Sequence, residues 1–185
     1  MSIATTGLRI KVTLKGVEPL VMRSIAVPLT MRLDRLHLTL QAAFGWSNSH
    51  LYMFQAAGAA WSPDPDSSAN VGDVRKTRLY DIVRDTGART IHYLYDFGDG
   101  WDHLIKIEKW VENGGPYGLP MLLNCVGRCP PEDVGGPSGY AELLEELRKL
   151  PPSKRPFDPS VLDRRDLDRA MTALEKKWEL RRPRA

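Results

Sequence analysis

Three aspartates and a histidine crowd a glycine-containing corner within residues 93–108, YLYDFGDGWDHLIKIE. Asp96, Asp99 and Asp102 recur at every third position, and His103 follows the last of them directly. Carboxylate oxygens are the ligands that Mg²⁺ and Ca²⁺ prefer, and an imidazole nitrogen suits transition metals. These residue types therefore permit a metal site that activates water for hydrolysis.

The same corner also has a purely structural interpretation. Residues 91–97 and 101–109 alternate apolar and polar side chains, which is typical of β-strands, and the GDG between them is typical of a hairpin turn. Aspartates at a turn accept backbone N–H groups without any metal. Because a spacing of three does not gather carboxylates on a strand, and no EF-hand pattern is present, we expect a hairpin corner.

A second group of polar residues lies in CPPEDVGGPSGY, residues 129–140. Its two prolines favour an extended chain through Glu132 and Asp133, and the following glycine pair permits a tight turn before a helix that begins near Ser138. Cys125 and Cys129 lack the spacing and the second ligand pair of a zinc knuckle. The two carboxylates could meet the 93–108 corner or could serve only to form the turn.

Period-2 patterns predict strands in the first part of the chain. Residues 8–14 and 21–27 form one predicted antiparallel hairpin, and residues 49–57 predict a central strand that is apolar on both faces. Residues 30–45 place leucines at helical spacing and end at a glycine, which predicts a helix between the hairpin and the third strand.

The later residues predict mainly loops and helices. Residues 60–77 lose periodicity and predict a loop insertion, residues 78–83 fit either a short helix or a strand, and residues 116–137 look irregular. Residues 138–150 predict a helix, and residues 159–185 predict a last helix with a basic tail. Strands first and helices last favour an α+β fold around an antiparallel sheet.

Composition limits the function classes. The 185 residues carry a net charge of only +3, although residues 148–185 hold 12 basic against 6 acidic side chains. This density is low for a nucleic-acid footprint. No apolar leader or membrane-length stretch is visible, and two cysteines make no disulfide framework, so we expect a cytoplasmic protein with no membrane partner. No phosphate-binding loop, nucleophile elbow or kinase motif set occurs.

Three ordered motifs together resemble the plasmid pRiA4b ORF-3-like family. They are VPLTMRLDRLHLTLQAAFGWSNSHLYMF, YLYDFGDGWDHLIKIE and CPPEDVGGPSGYAELLEEL. The resemblance implies a single α+β domain over residues 1–185, built on a curved, mostly antiparallel and partly open barrel-like sheet, with a helix-rich C-terminus. The closest matching residues are Leu36, His37, Phe44, Trp46, His50, Leu51, Phe54, Tyr95, Asp96, Phe97, Gly98, Asp99, Trp101, His103, Cys129, Pro130, Pro131, Glu132, Asp133, Gly135, Gly136 and Tyr140.

The resemblance implies no established activity. Members of the family are often labelled TnpR-like passengers of insertion elements, and some are labelled resolvases. The residues here give that label no mechanism. Ser24 lies within a predicted hairpin strand instead of a resolvase catalytic site, and no tyrosine with an Arg-His-Arg set can be assembled.

We therefore expect a mobile-element-associated cytoplasmic protein that acts as a non-catalytic binding or accessory module, without a cofactor and with a protein or nucleic-acid partner. The candidate binding residues are Trp46, His50, Asp96, Asp99, Trp101, Asp102, His103, Glu132 and Asp133.

The alternative is a divalent-metal-dependent hydrolase of phosphodiester type that uses the DFGDGWDH and CPPED motifs. Its candidate metal ligands are Asp96, Asp99, His103, Glu132 and Asp133.

Overall fold

A computed structural model describes residues 7–65, 71–111 and 120–179. Those residues form strands and helices in the following order: β1 Gly7–Leu14, β2 Met22–Pro28, α1 Leu33–Phe44, β3 Tyr52–Ala56, β4 Ala59–Ser62, β5 Val71–Asp73, α2 Leu79–Thr86, β6 Thr90–Tyr95, β7 Trp101–Val111, β8 Met121–Val126, α3 Gly136–Arg148 and α4 Arg164–Glu179.

The described strands belong to one sheet with the order β5-β4-β3-β6-β7-β1-β2-β8. Neighbouring strands run antiparallel, except that β4 and β5 run parallel. The sheet is open, since β5 and β8 are its edges. The predicted α+β class with a mostly antiparallel sheet is confirmed, and the parallel pair makes the sheet mixed.

Both predicted hairpins form. β1 pairs with β2, and its apolar set of Leu8, Ile10, Val12 and Leu14 is buried because alternate side chains of a strand face the same side. β6 pairs with β7, and the residue pair nearest the turn joins Tyr95 to the first residue of β7. The turn that carries the acidic motif is therefore fixed by the register of two central strands.

Helix α1 packs its leucines into the core and ends where a left-handed residue is required. Leu33, Leu36 and Leu40 are almost completely buried. Gly45 follows with φ of 81° and donates its N–H to the carbonyl of Gln41, which closes the last turn of the helix. This ending directs residues 46–50 toward the β6–β7 turn, where they take part in the candidate site described below.

Two segments differ from the sequence prediction, and the structure decides a third that the sequence left open. Residues 60–77, predicted as a loop insertion, contain most of β4 and all of β5, and residues 116–137, predicted as irregular, contain β8. Residues 79–83 belong to helix α2, and residue 78 directly precedes it. Strands β4 and β5 are too short to show a periodicity, and the MLLNCV of β8 does not alternate apolar and polar residues, so pairing with neighbouring strands decides their conformation. Residues 66–70, 112–119 and the basic tail 180–185 lie outside the described residues.

No helix among the described residues is long and apolar enough to cross a membrane.

Two histidines lie within the core in neutral form. His103 is fully buried, and its Nδ1–H faces the carbonyl oxygens of Tyr93 and Trp101, each 3.1 Å away. His37 is 3% exposed and bonds through Nδ1 to the hydroxyl of Tyr93. Burial disfavours the charged imidazolium and lowers the pKa of each histidine to about 4.

Acidification should destabilise the protein at pH values that are still well above the pKa values of its carboxylates. Histidines titrate near pH 6.5 when unfolded. Because their folded pKa is about 4, the unfolded chain binds more protons between these values, and the free energy of unfolding falls as the pH drops. We expect a loss of about 2 kcal/mol for each histidine between pH 7 and pH 5, measured by urea unfolding.

His103→Asn supplies the control for this prediction. The variant loses stability at pH 7, because it disturbs the core, but it should show only about half of the wild-type decrease between pH 7 and pH 5. Equal wild-type stability at the two pH values would contradict the assignment of neutral buried histidines.

Candidate functional site

The two acidic motifs lie directly against each other. The Asp99 carboxylate accepts the N–H of Gly135 at 3.2 Å. A Cβ atom on Gly136 would lie only 2.1 Å from the carbonyl oxygen of Asp99, and Gly136 has φ of 68°, so this position requires glycine. The β6–β7 turn and the 129–140 segment therefore form one unit, although more than twenty residues of chain separate them.

Trp46 joins the residues after α1 to the same unit. Its indole N–H donates to the carbonyl of Pro130 at 3.0 Å, and its ring stacks on Tyr95 with 5.1 Å between centroids. Trp46 is only 9% exposed and Trp101, beside it, is completely buried. The two tryptophans thus support the site from below and offer little surface for a partner.

Glu132 is held by donors from two other segments. Its Oε1 accepts the Tyr95 hydroxyl at 2.7 Å, and its Oε2 accepts the Ser47 N–H at 2.8 Å. The Ser49 hydroxyl approaches the same carboxylate at 3.4 Å. Partial burial alone would raise the pKa of Glu132, but the hydrogen bonds from Ser47 and Tyr95 outweigh it and hold that pKa below its usual range. Glu132 is therefore an anionic anchor of the 129–140 segment.

His50 lies between two carboxylates. Its Nδ1 is 3.5 Å from Asp96 Oδ2, and its Nε2 is 3.0 Å from Asp133 Oδ1. One candidate ligand atom from each of the three side chains can be chosen so that all lie within 4.8 Å of one another. The Asp133 side chain is 73% exposed, whereas that of Asp96 is only 12% exposed. The cluster is thus open to solvent on its Asp133 side.

Asp96 also has the turn-forming role expected of an aspartate at a hairpin corner. Its Oδ1 accepts the N–H groups of Gly98 and Asp99 at 3.0 and 3.3 Å. Its own N–H donates to the Leu51 carbonyl, and its φ is 56°, a left-handed value that aspartate tolerates better than most residues. One oxygen of Asp96 therefore fixes the turn while the other faces His50.

Two large apolar side chains next to this cluster are exposed. Leu51 is 62% exposed and Phe97 is 49% exposed. The hydrogen bond from the Asp96 N–H to the Leu51 carbonyl brings the backbone of Leu51 close to the turn that carries Phe97. We call the surface formed by His50, Leu51, Asp96, Phe97 and Asp133 the acidic corner.

The structure brings together only some of the residues that the sequence singled out. Asp96, Asp99, Glu132, Asp133, His50 and Trp46 all lie at or directly beneath the acidic corner. Asp102 faces the opposite side of β7, where it bonds Lys15 and His92, each at 3.0 Å. Burial is the largest single influence on the pKa of Asp102 and raises it, but the hydrogen bonds from Lys15 and His92 together outweigh burial and lower that pKa.

Three residues of the predicted sets therefore contribute no side chain to the surface of the acidic corner. Trp101 and His103 are completely buried, and consecutive residues of a strand face opposite sides of the sheet, which separates Asp102 from both. Among the predicted metal ligands, His103 cannot reach Asp96 and Asp133 without opening the core. His50, from the binding set, occupies the position next to these carboxylates.

Tyr95, Ser47 and Ser49 were absent from the predicted sets. Tyr95 is an aromatic residue in an alternating strand, a pattern that indicates core packing and carries no sign that its hydroxyl would reach Glu132. Ser47 and Ser49 are ordinary turn residues. The family motifs offered a signal, since the first contains residues 46–50 and the second contains Tyr95, but they assigned no role to these side chains.

The fold and this corner define an α+β protein with an open, mixed sheet and a cluster of acidic side chains at its β6–β7 turn. The chain belongs to the plasmid pRiA4b ORF-3-like protein family, whose model matches residues 6–168.

Two relatives agree with this assignment. The chain is 46% identical over 182 residues to the uncharacterized protein y4hQ of Sinorhizobium fredii, covering 92% of this chain and 93% of that protein. It also resembles a crystal structure of MM3350, a protein of unknown function from Methanosarcina mazei Go1, with a TM-score of 0.78 and 25% identity. That match covers 89% of this chain and 98% of the other. The first relative supports the family assignment and the second supports the fold, and neither name states an activity.

Removing one hydroxyl should weaken the junction of the motifs. Tyr95→Phe deletes the donor to Glu132 and the acceptor of the Ser49 N–H, so we expect a loss of about 1–3 kcal/mol in urea unfolding. Tyr80→Phe is the matched control, because Tyr80 lies partly exposed with its ring under Arg84, and should cost less than about 0.5 kcal/mol. Similar losses in both variants would contradict the role given to the Tyr95 hydroxyl.

Proposed function

We propose that this protein is a non-catalytic binding module and that the acidic corner is its contact surface. The observation that carries the proposal is the exposure of Leu51 and Phe97 beside carboxylates on a rigid, aromatic-supported base. Exposed apolar side chains that adjoin one another mark contact surfaces more often than scattered ones do. A base whose side chains are already locked by packing also loses little entropy when a partner binds.

The charge of the corner favours a protein segment as the partner. Asp96, Asp133 and the neighbouring Glu132 would repel a phosphate backbone but attract lysine or arginine side chains. A segment that places a basic residue beside an apolar one would match both the carboxylates and the Leu51–Phe97 pair. A nucleic-acid partner would instead need the basic residues of 148–185, and four of the twelve, Arg148, Lys149, Arg164 and Arg169, pair with acidic neighbours three or four positions away.

We further propose a cytoplasmic, mobile-element-associated setting. The two cysteines are free thiols, which suits a reducing compartment. The association with insertion elements and the TnpR-like label rest on the family resemblance alone. A resolvase mechanism has no support from the residues at the acidic corner, and Ser24 is buried in β2, where it accepts a hydrogen bond from Arg9.

Selection of peptides provides the test of this surface. We expect random peptides selected on the full chain to be enriched in basic residues next to aromatic or aliphatic ones. Phe97→Ser should weaken the selected peptides at least about tenfold in fluorescence anisotropy, because it removes an apolar anchor. Val161→Ser is the matched control, since Val161 is 60% exposed but belongs to no described part of the corner.

Two results would contradict the proposal. One is the failure of any peptide to be enriched by the folded chain. The other is equal binding of the selected peptides by the wild type, Phe97→Ser and Val161→Ser.

A divalent-metal-dependent phosphodiester hydrolase remains the second candidate, and one observation favours it. His50, Asp96 and Asp133 could hold an ion at a solvent-open position, where it could activate water. The originally predicted ligand set gives it less support, since Asp99 accepts the Gly135 N–H, Glu132 anchors the 129–140 segment and His103 is buried.

The two candidates differ in an assay with bis(4-nitrophenyl) phosphate. If the protein is only a binding module, the wild type should release no more nitrophenolate in the presence of Mn²⁺ than Asp133→Asn does under the same conditions. Metal-dependent hydrolysis that is lost in Asp133→Asn and kept in Asp85→Asn, a distant exposed carboxylate, would establish the hydrolase and overturn the non-catalytic proposal.

A further inference from the structure

We infer that the sheet carries a second interaction surface and that its partner is an acidic amphipathic helix of another protein. The surface consists of the outward side chains of the four central strands β3, β6, β7 and β1, and we call it the outer face. The inference does not rest on the acidic corner, because it uses different side chains and a partner of the opposite charge.

The described helices leave the outer face uncovered. Each helix contributes to the core cluster that also holds the inward side chains of the sheet, through Leu36, Ile82, Tyr140 and Met171 in chain order. Alternate side chains of a strand face opposite sides, and the outward ones of these four strands are partly or fully exposed. The outer face is therefore open to a partner among the described residues.

Three apolar side chains form a row across the outer face. Met53 lies opposite Leu94, and Leu104 is diagonal to Leu94, because Leu94 pairs with Asp102 two positions before Leu104. None of the three belongs to the core cluster or to the apolar side chains that pack against it. Adjoining apolar side chains on an open face favour contact with another apolar surface.

Two lysines lie next to this row in an electrostatically unfavourable arrangement. Lys106 follows Leu104 by two positions and therefore faces the same side, and Lys11 lies directly opposite it on β1. Like charges in opposite positions of neighbouring strands reduce stability. A partner that brings carboxylates to this pair would relieve the repulsion.

The carboxylates of the outer face already have other cationic partners. Asp102 lies 3.0 Å from the Nζ of Lys15, and Glu108 lies 3.0 Å from the Nε of Arg9. Each of these contacts offsets one positive charge, so the two opposed lysines keep theirs, and neither forms an ion pair among the described residues. Uncompensated positive charges beside an apolar row match a segment that carries carboxylates beside apolar side chains.

A protein helix fits the outer face better than a nucleic acid does. Single strands of nucleic acid bind on exposed aromatic side chains, on which their bases stack. Within residues 7–14, 52–56, 90–95 and 101–108, the Phe, Tyr and Trp side chains are all buried, namely Tyr52, Phe54, Tyr93, Tyr95 and Trp101. A helix laid across a sheet, in contrast, is a common way to cover an apolar row.

Fluorescence anisotropy on the full chain tests the inference with a labelled synthetic peptide. The peptide has about 18 residues of Leu, Ala and Glu, with Leu on one face of the helix. We expect it to bind at least about tenfold more tightly than a counterpart with Gln in place of Glu, and to lose affinity as salt is added, because its carboxylates meet the two lysines. Leu104→Ser should weaken the peptide at least about fivefold, because it removes the middle of the apolar row.

Lys106→Glu separates this role from general damage to the fold. The variant should weaken the acidic peptide at least about fivefold, because it places a carboxylate where those of the peptide bind. It should also raise the melting temperature of the free chain by about 1–3 °C, since it converts a like-charge pair into an opposite-charge pair. Lys177→Glu is the matched control, because Lys177 is an exposed lysine of α4, and this variant should bind the peptide like the wild type.

Equal binding of the acidic peptide by the wild type and Lys106→Glu would overturn the inference. An oligothymidylate of about 18 nucleotides that binds more tightly than the peptide, and that Lys106→Glu also weakens, would assign the outer face to a nucleic acid and overturn it too. Weaker binding of the acidic peptide by Lys106→Glu, with full affinity for the basic peptides selected on the acidic corner, would support two separate contact surfaces. Failure of the basic peptides alone would count against the acidic corner and leave the outer face supported.

Discussion

The approach of the Gly136 backbone to the carbonyl of Asp99 is the constraint on which the site depends. A Cβ atom at position 136 would collide with that oxygen, so glycine there allows two distant segments to touch. The Asp99 carboxylate then accepts the N–H of Gly135 and fixes their relative position. Carboxylates from both motifs, with His50, consequently share one corner of the fold.

The same junction explains why the acidic residues have unequal roles. Glu132 and Asp99 satisfy backbone and hydroxyl donors, so their charges stabilise the junction itself. Asp133 lies outside this network and contacts His50 alone among its ion partners in the described chain. Asp96 divides its two oxygens between the turn and His50. Asp133 and the second carboxylate oxygen of Asp96, which make no hydrogen bond within the junction, are therefore available to a ligand.

Aromatic packing beneath the corner couples it to the core. Trp46 stacks on Tyr95 and lies against Trp101, and His103 meets the edge of Trp46. Burial keeps His103 neutral, which makes the core sensitive to acid, whereas the surface cluster of His50 remains partly open to solvent. The fold thus places one histidine in the core and another at the surface on the two sides of the Trp46–Tyr95 stack.

The sequence by itself determined the alternating strands, both hairpins, helix α1 and the acidic turn, because side-chain periodicity and turn residues act over a few positions. Only the tertiary structure decided that Asp96 and Asp133 meet at His50, that Asp102 faces away, and that His103 is enclosed. Those outcomes depend on contacts between segments that are distant in the chain, which local patterns do not encode. Strands β4, β5 and β8, which show no clear alternation, likewise depend on pairing with neighbouring strands.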